Sequence, residues 1–200
     1  MRLFLALDLA DEIRARITRF IEGVQNFAPD ARWAKPESLH VTLKFIGEQP
    51  DPAVEQITNA LRTLTAPAFE INFRAYGFFP TAKSPRVFWI GIDSGPELSA
   101  LAALIDEKMT DDKISSLGIP KEIRAFSPHL TLARAPGASG SPHQRKRNIP
   151  TSAFHRLQEK LAALPTPDFG AMTAREFFLY QSQLSPKGSK YTKLSQFNLQ

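Results

Sequence analysis

The chain has 200 residues, 42% of them hydrophobic, and carries 25 Lys and Arg against 20 Asp and Glu, a formal net charge of +5. This composition fits one globular domain, and the absence of cysteine excludes disulfides, thiolate zinc sites and cysteine nucleophiles. No apolar run approaches the roughly 18 residues of a membrane span, and Asp8 interrupts the first apolar run too early for a signal peptide, so we expect a cytoplasmic protein without membrane contact.

The first part of the chain alternates strand-like and helix-like patterns. Residues 3–8 are apolar up to the closing Asp8 and predict a strand, and the apolar spacing that follows Asp11 predicts an amphipathic helix to Val24. After a loop, a second strand is expected around His40, followed by a helix over residues 54–64 and a strand over residues 69–79.

The same order returns in the second part. Residues 87–93 repeat the first strand with its closing Asp, residues 94–109 predict a helix, and a strand is expected around His129. A helix over 152–164, a strand within 169–184 and a strand over 191–199 complete the chain. We expect a single domain over 1–200, built from two interleaved halves of about 1–85 and 86–200. The predicted fold is α+β and bilobed, with two antiparallel-rich sheets, helices outside, and a central cleft of pseudo-twofold symmetry.

Each half contains a tetrad of the form His-x-Thr-Leu, at His40–Leu43 and at His129–Leu132. In a strand, residues two apart point to one face, so each tetrad presents an imidazole and a hydroxyl side by side. Two such pairs across a cleft would supply a general acid, a general base and two hydroxyl donors. That set is sufficient for a phosphoryl displacement without a metal.

The tetrads and their surroundings resemble the 2H phosphoesterases, which are named for two His-x-Thr/Ser-x motifs, and among them the bacterial LigT-like RNA 2′,3′-cyclic phosphodiesterases. The resemblance spans nearly the whole chain. It rests on Arg2–Leu7, Arg32-Trp33, Leu39–Gly47, Gly77–Pro80, Pro85–Trp89, Phe126–Arg134, Leu179–Ser182, Gly188 and Tyr191-Thr192.

This resemblance implies opening of a 2′,3′-cyclic phosphate, on RNA or on a small cyclic nucleotide, to a 2′-phosphomonoester, with no cofactor and no metal. It implies His40 as proton donor and His129 as proton acceptor, with Thr42 and Thr131 as their partners. The sequence itself is symmetric on which imidazole is the acid.

Four further residues are candidates for substrate binding. Lys44 shares the face of His40 if its strand stays regular, whereas Arg134 needs a twist or a bulge to join the site. Tyr191 and Trp33 adjoin turns and are the favoured candidates, among the aromatic residues, for stacking on a terminal base. Phe4, Phe45 and Phe79 are weaker candidates of the same kind.

Three alternatives stay open at this point. The same acid and base run backwards would join the cyclic end to a 5′-hydroxyl RNA through a 2′,5′ linkage. The chain could instead be an RNA-end binding module, although a binder does not need paired imidazoles. Zinc catalysis is disfavoured because neither tetrad carries a third ligand at chelating spacing. We expect a monomer.

A loop rich in Gly, Ser and Pro over residues 135–148 contains Arg145, Lys146 and Arg147. This basic run is either a clamp for RNA phosphates or a solvated loop. Two further histidines, His143 in this loop and His155 at the start of a predicted helix, are interpreted as solvated or capping residues.

Overall fold

The computed structural model describes residues 1–137, 151–185 and 188–200. These residues form four α-helices and nine β-strands. The helices are α1 (Asp11–Val24), α2 (Ala53–Leu61), α3 (Pro96–Met109) and α4 (His155–Ala162). The strands are β1 (Arg2–Asp8), β2 (Arg32–Trp33), β3 (His40–Glu48), β4 (Phe69–Thr81), β5 (Ser84–Ser94), β6 (His129–Arg134), β7 (Asp168–Ala174), β8 (Glu176–Ser185) and β9 (Gly188–Asn198).

The strands form two sheets in which the neighbouring strands run antiparallel. The first sheet has the order β3-β1-β8-β9 and the second has the order β2-β6-β5-β4-β7. Helix α1 contacts β7, and α3 contacts β3. The expected α+β architecture with two antiparallel sheets is confirmed.

Each sheet takes strands from both parts of the chain. The pair β1 and β3 in the first sheet corresponds to β5 and β6 in the second, which places both His tetrads on equivalent strands. The chain then passes from the first sheet to the second, where β4 pairs with β5. It later returns to the first sheet, where β8 pairs with β1. The repeated order seen in the sequence is therefore a repeated strand pairing.

Strand β1 is buried on both faces. Leu3, Leu5 and Leu7 point into the main hydrophobic core between the sheets and helices. Phe4 and Ala6 point the other way, into a small cluster with Phe178 and Tyr180 against which the partly buried Tyr191 packs. This second face is the one that carries His40.

The expected strands and helices agree with the structure in kind and order, and the structure adds two strands. The strand and the helix predicted before residue 25 are confirmed within one residue. Residues 169–184, which are expected to contain a strand, contain most of two, because the chain breaks at Arg175 between β7 and β8, which belong to different sheets. The two-residue strand β2 lacks an apolar run long enough to predict. None of the described helices has the length and apolar character needed to cross a membrane.

Candidate active site

The two His tetrads lie on strands that contact each other across the two sheets. On β3, His40 and Thr42 are opposite Asp8 and Ala6 of β1. On β6, His129 and Thr131 are opposite Gly91 and Trp89 of β5. The alternation along each strand directs the intervening Val41 and Leu130 into the core, where both are fully buried.

Each imidazole is held by a backbone carbonyl two residues before it. His40 Nδ1 lies 2.7 Å from the Ser38 carbonyl oxygen, and His129 Nδ1 lies 2.8 Å from the Ser127 carbonyl oxygen. Because a carbonyl only accepts, Nδ1 must donate in both rings, which leaves Nε2 as the nitrogen that exchanges a proton with a substrate. The sequence carried this signal, since both tetrads belong to the longer pattern Ser-x-His-x-Thr-Leu.

Aromatic rings enclose both imidazoles. The ring centroid of His40 is 4.8 Å from Phe4 and 5.1 Å from Tyr191, whose ring meets it edge-on. The ring centroid of His129 is 5.0 Å from Phe79, also edge-on, and Phe79 stacks on Trp89. Two apolar walls of different composition therefore fix the two rings.

Burial lowers the pKa of both histidines. It lowers the pKa of His40 to about 4, although the Ser38 carbonyl opposes the shift. Burial also lowers the pKa of His129, and the Ser127 carbonyl again opposes. The guanidinium of Arg134 acts on both rings and lowers both pKa values further. One cation is therefore close enough to both imidazoles to act on each of them.

A β-bulge at the last residue of each tetrad decides which cation joins the site. In β3 the register skips Leu43, so that Lys44 is opposite Leu5 and turns to the core side. In β6 it skips Leu132, so that Arg134 returns to the face of His129 and Thr131. The expectation that Lys44 shares the face of His40 is wrong, because its strand is not regular. For Arg134, the bulge that it needed is present.

Lys44 has a different environment from the one expected. Its ammonium group is 2.5 Å from Asp106 Oδ1 on α3 and 3.0 Å from the Pro120 carbonyl oxygen, and only 6% of the side chain is exposed. A buried lysine needs a counter-charge. Lys44 therefore anchors α3 to β3 and does not face the cleft.

The two aromatic candidates, Tyr191 and Trp33, lie in different places relative to the site. Tyr191 on β9 packs against both Phe4 and His40, and its hydroxyl acts electrostatically on Arg134, so the structure brings it to the site. Trp33 on β2 packs edge-on against the buried Phe88, and its indole N–H donates to the Ala28 carbonyl at 3.0 Å. The expectation that Trp33 lines the substrate site is wrong, because its ring completes the core on the opposite face of the sheet.

Three other phenylalanines were weaker stacking candidates. Phe4 is 3% exposed, so its ring has no free face for a base, whereas Phe79 is partly exposed and packs against Trp89 and His129. Phe45, in contrast, is 62% exposed and lies on the face of His40 and Thr42.

The surroundings of the two imidazoles are not symmetric. Asp8 is opposite His40 in the sheet, forms ion pairs with Arg14 and Lys193, and raises the pKa of His40 slightly against the effect of burial. The sequence repeat matches Asp8 with Asp93, yet the register places Gly91 opposite His129. Asp93 forms an ion pair with Arg74 at the surface instead. Sequence reasoning could not find this difference because it depends on the pairing register.

A cavity of about 560 Å³ opens beside His40. Its lining includes Asp8, Arg14, His40, Tyr180, Tyr191 and Lys193. Sequence reasoning missed Arg14 and Lys193, which are distant from both tetrads along the chain.

The remaining candidates lie elsewhere. His155 is 69% exposed on α4, 3.6 Å from Glu159, as expected of a solvated residue. His143 and the basic run Arg145–Arg147 fall outside the described residues. Within the described ranges, no three His, Cys, Asp or Glu side chains are grouped so that they could hold a metal ion.

Known proteins are similar to this chain in sequence. Residues 7–89 match the family described as LigT like Phosphoesterase. An Archaeoglobus fulgidus protein named RNA 2′,3′-cyclic phosphodiesterase is 34% identical over 197 residues, which cover 98% of this chain and 99% of that protein. The chain belongs to the LigT-like 2H phosphoesterases.

Solved structures of LigT-like proteins have the same fold. A Thermus thermophilus protein superposes with a TM-score of 0.72 at 28% identity, covering 99% of this chain and 97% of that one. Escherichia coli LigT, solved in complex with 3′-AMP, superposes with a TM-score of 0.71 at 25% identity and the same coverage. Because archaeal as well as bacterial LigT-like proteins are similar to this chain, the expected restriction to the bacterial branch is not supported.

Proposed function

We propose that this protein is an RNA 2′,3′-cyclic phosphodiesterase that opens the cyclic phosphate at an RNA end to a 2′-phosphomonoester. The observation that carries the proposal is the pair of equivalent imidazoles, each with Nε2 available, within the field of a single guanidinium. The relatives named for this activity align over nearly the full chain and support it.

In the proposed reaction, water attacks phosphorus as the bond to the ribose 3′ oxygen breaks, so an acid and a base must flank the phosphate. His129 takes the proton from water, and His40 gives a proton to the departing 3′ oxygen. Thr42 and Thr131 donate hydrogen bonds to the non-bridging oxygens, and Arg134 balances their growing negative charge. Tyr191 packs against His40 and holds that ring in position.

His40 must be protonated to act as the acid, yet burial favours its neutral form in the free protein. A phosphate anion bound between the rings favours the imidazolium and so raises its pKa. The bound substrate therefore favours the protonated form of His40. In the absence of substrate the imidazole is neutral and cannot act as an acid.

We further propose that the enzyme needs no metal and acts as a monomer in the cytoplasm, a compartment in which a chain without cysteine lacks no disulfides. The same residues could also catalyse the reverse ligation to a 5′-hydroxyl RNA, because acid and base exchange roles when the reaction is reversed.

The experiment is to incubate the protein and a short RNA with a 2′,3′-cyclic phosphate end in the presence of excess EDTA. The expected product is the 2′-phosphate, identified by ³¹P NMR. An unchanged cyclic end that is opened once zinc or manganese is supplied would contradict the metal-free mechanism. A product carrying a 3′-phosphate would contradict the assigned leaving oxygen.

A further inference from the structure

Arg14 on α1 donates hydrogen bonds to the short segment that comes just before His40. Its Nη1 lies 2.5 Å from the Pro36 carbonyl oxygen and 3.2 Å from the Leu39 carbonyl oxygen. Ser38 lies between these two residues, and its own carbonyl oxygen accepts the Nδ1 proton of His40 at 2.7 Å. One guanidinium therefore holds the backbone on both sides of the group that orients the imidazole.

The guanidinium is fixed in turn by Asp8, at the end of β1. Its second nitrogen, Nη2, donates to Asp8 Oδ1 and lies 3.3 Å from the Leu9 carbonyl oxygen. The Leu9 backbone N–H also donates to Asp8 Oδ1 at 2.9 Å, and Lys193 Nζ lies 2.5 Å from Asp8 Oδ2. Both carboxylate oxygens thus have partners, and only 19% of the Arg14 side chain is exposed. Because a guanidinium carries its donors in one rigid plane, holding Nη2 also fixes the direction in which Nη1 donates.

The place of the Ser38 carbonyl decides which nitrogen of His40 is available to a substrate. An Nδ1 that donates to this carbonyl leaves Nε2 for proton exchange, whereas a neutral ring without the carbonyl can carry its proton on either nitrogen. A small displacement of a proton donor is costly in rate. His129 is held by the Ser127 carbonyl in the same way, in a segment to which Arg14 makes none of these bonds.

We propose that Arg14 is a positioning residue for the acid, and that it keeps the Ser38 carbonyl oxygen in place against His40 Nδ1. The kinetic consequence rests on the proposed function, in which His40 protonates the departing oxygen. Arg14 acts on the reaction through the imidazole and not through the substrate. Its role therefore belongs to the acid and leaves the base, His129, unaffected.

The first test removes the donors of the side chain. In Arg14→Met we expect kcat for a cyclic-ended RNA to fall roughly 10-fold to 10²-fold, the cost of a misplaced reacting group, with little change in KM. The matched control is Arg16→Met, because Arg16 lies on the same helix and donates to the Phe169 carbonyl oxygen at 3.1 Å. This control should keep the kcat of the unaltered protein, and circular dichroism verifies the fold of both variants. A normal kcat in folded Arg14→Met would overturn the proposal.

A double-mutant cycle with His40→Ala separates positioning from a general effect on the fold. If Arg14 acts through the imidazole, Arg14→Met should cause no further loss of kcat once the imidazole has been removed. Single-turnover kinetics measure the four proteins of the cycle. An equal loss with and without the imidazole would overturn the proposal, because a merely structural role does not depend on His40.

Arg14→Lys tests whether positive charge alone is sufficient. The charge of Arg14 by itself lowers the pKa of His40, and burial lowers it more. Lysine keeps the charge, but it cannot donate to two carbonyls and a carboxylate from one rigid plane. We expect Arg14→Lys to recover only part of the lost kcat. Full recovery would overturn the positioning role.

A second measurement is independent of catalysis. At about pH 8, where both rings are neutral, two-bond ¹⁵N–¹H NMR correlations show which ring nitrogen carries the proton. We expect His40 to carry it on Nδ1 in the unaltered protein and in Arg16→Met, and to be a mixture of both tautomers in Arg14→Met. His129 is the internal reference and should keep its pattern in all three proteins.

The NMR result also separates failure of the proposed function from failure of the positioning role. An unchanged His40 pattern in Arg14→Met would overturn the positioning role, whether or not the protein opens a cyclic end. If the pattern changes as expected while the unaltered protein opens no cyclic end, the proposed function fails and Arg14 still positions the imidazole.

Discussion

Phe45 on β3 and Arg134 on β6 occupy the same register position relative to His40 and His129. Each residue follows a bulge that skips the leucine at the end of the tetrad. The first half thus presents an exposed ring to the cleft and the second half a guanidinium. The pseudo-twofold symmetry of the backbone therefore does not extend to these two side chains, and only the second half places a cation at this register position.

Replacing Arg134 with Gln should lower kcat by roughly 10²–10³, because the variant removes the cation that balances charge developing on the phosphate oxygens. Arg134→Lys should recover part of this loss, since it restores charge but not the bidentate geometry. The control is Arg86→Gln on the exposed surface of β5. Single-turnover kinetics with a cyclic-ended RNA measure all three, and an Arg134→Gln variant with normal kcat would remove Arg134 from the proposed mechanism.

Replacing His40 or His129 with Ala should lower kcat by roughly 10²–10⁴ each, the usual contribution of a general acid or base. The double variant should lose much less than the product of the two single losses, because acid and base act as a unit. His155→Ala provides the comparison, since His155 is exposed on α4. Two fully active single variants would contradict the two-histidine mechanism.

Gly77→Ala tests the wall behind His129. A Cβ atom at Gly77 would lie 2.1 Å from Cζ2 of Trp89, so the indole must move, and Phe79 and His129 pack against it in turn. We expect a loss of thermal stability together with a lower kcat, because the imidazole loses its fixed position. Gly23→Ala on α1 is the control, because its Cβ would meet nothing within 4 Å. A Gly77→Ala variant with unchanged Tm and kcat would refute this supporting role.

Only part of the site could be predicted from the sequence. The tetrads fixed the catalytic candidates, since period-two alternation alone places His40 with Thr42 and His129 with Thr131. The fate of Lys44 and Arg134 depended on two bulges, which leave no clear signal in the sequence because a skipped leucine still looks like a strand residue. Trp33 adjoins a turn, and only the short strand β2 shows that its ring faces the core.

The buried pair of Lys44 and Asp106 should contribute to stability. Lys44→Met leaves the Asp106 carboxylate without its partner, and we expect a loss of roughly 3 kcal/mol in the free energy of unfolding. The double variant Lys44→Met with Asp106→Leu should lose less, because no charge is left unpaired. Chemical denaturation measures both, and a Lys44→Met variant as stable as the unaltered protein would contradict the anchoring role.

The contribution of Lys44 and Asp106 to stability should also depend on pH. Burial alone would raise the pKa of Asp106, but hydrogen bonds from Lys44 and from the Glu122 backbone N–H lower it below its usual value. A carboxyl group with a lowered pKa in the folded state stabilises the fold above its unfolded pKa, and this stabilisation is lost as pH falls through the folded pKa. The stability difference between the unaltered protein and Lys44→Met should therefore shrink in acid.

The protonation of His40 should depend on the bound phosphate. Burial lowers the pKa of His40 to about 4 in the free protein, so its ring should stay neutral through the pH range in which an ordinary histidine titrates. Binding of a nucleoside 2′-monophosphate places negative charge beside the ring and should raise this pKa. NMR titration of the imidazole nitrogens, with and without the nucleotide, measures the shift, and His129→Gln leaves the His40 signals easier to assign.

The lowered pKa of His40 also predicts that the free energy of unfolding depends on pH. Between about pH 6.5 and 4 the unfolded chain binds a proton at His40 that the folded protein does not, so the free energy of unfolding should decrease as pH falls through this window. His40→Gln has no such proton to bind and should show a flatter profile over that range than the unaltered protein. A free-protein His40 that titrates near 6.5, together with identical stability profiles for His40→Gln and the unaltered protein, would contradict the buried neutral imidazole. Substrate binding would then not be needed to protonate His40.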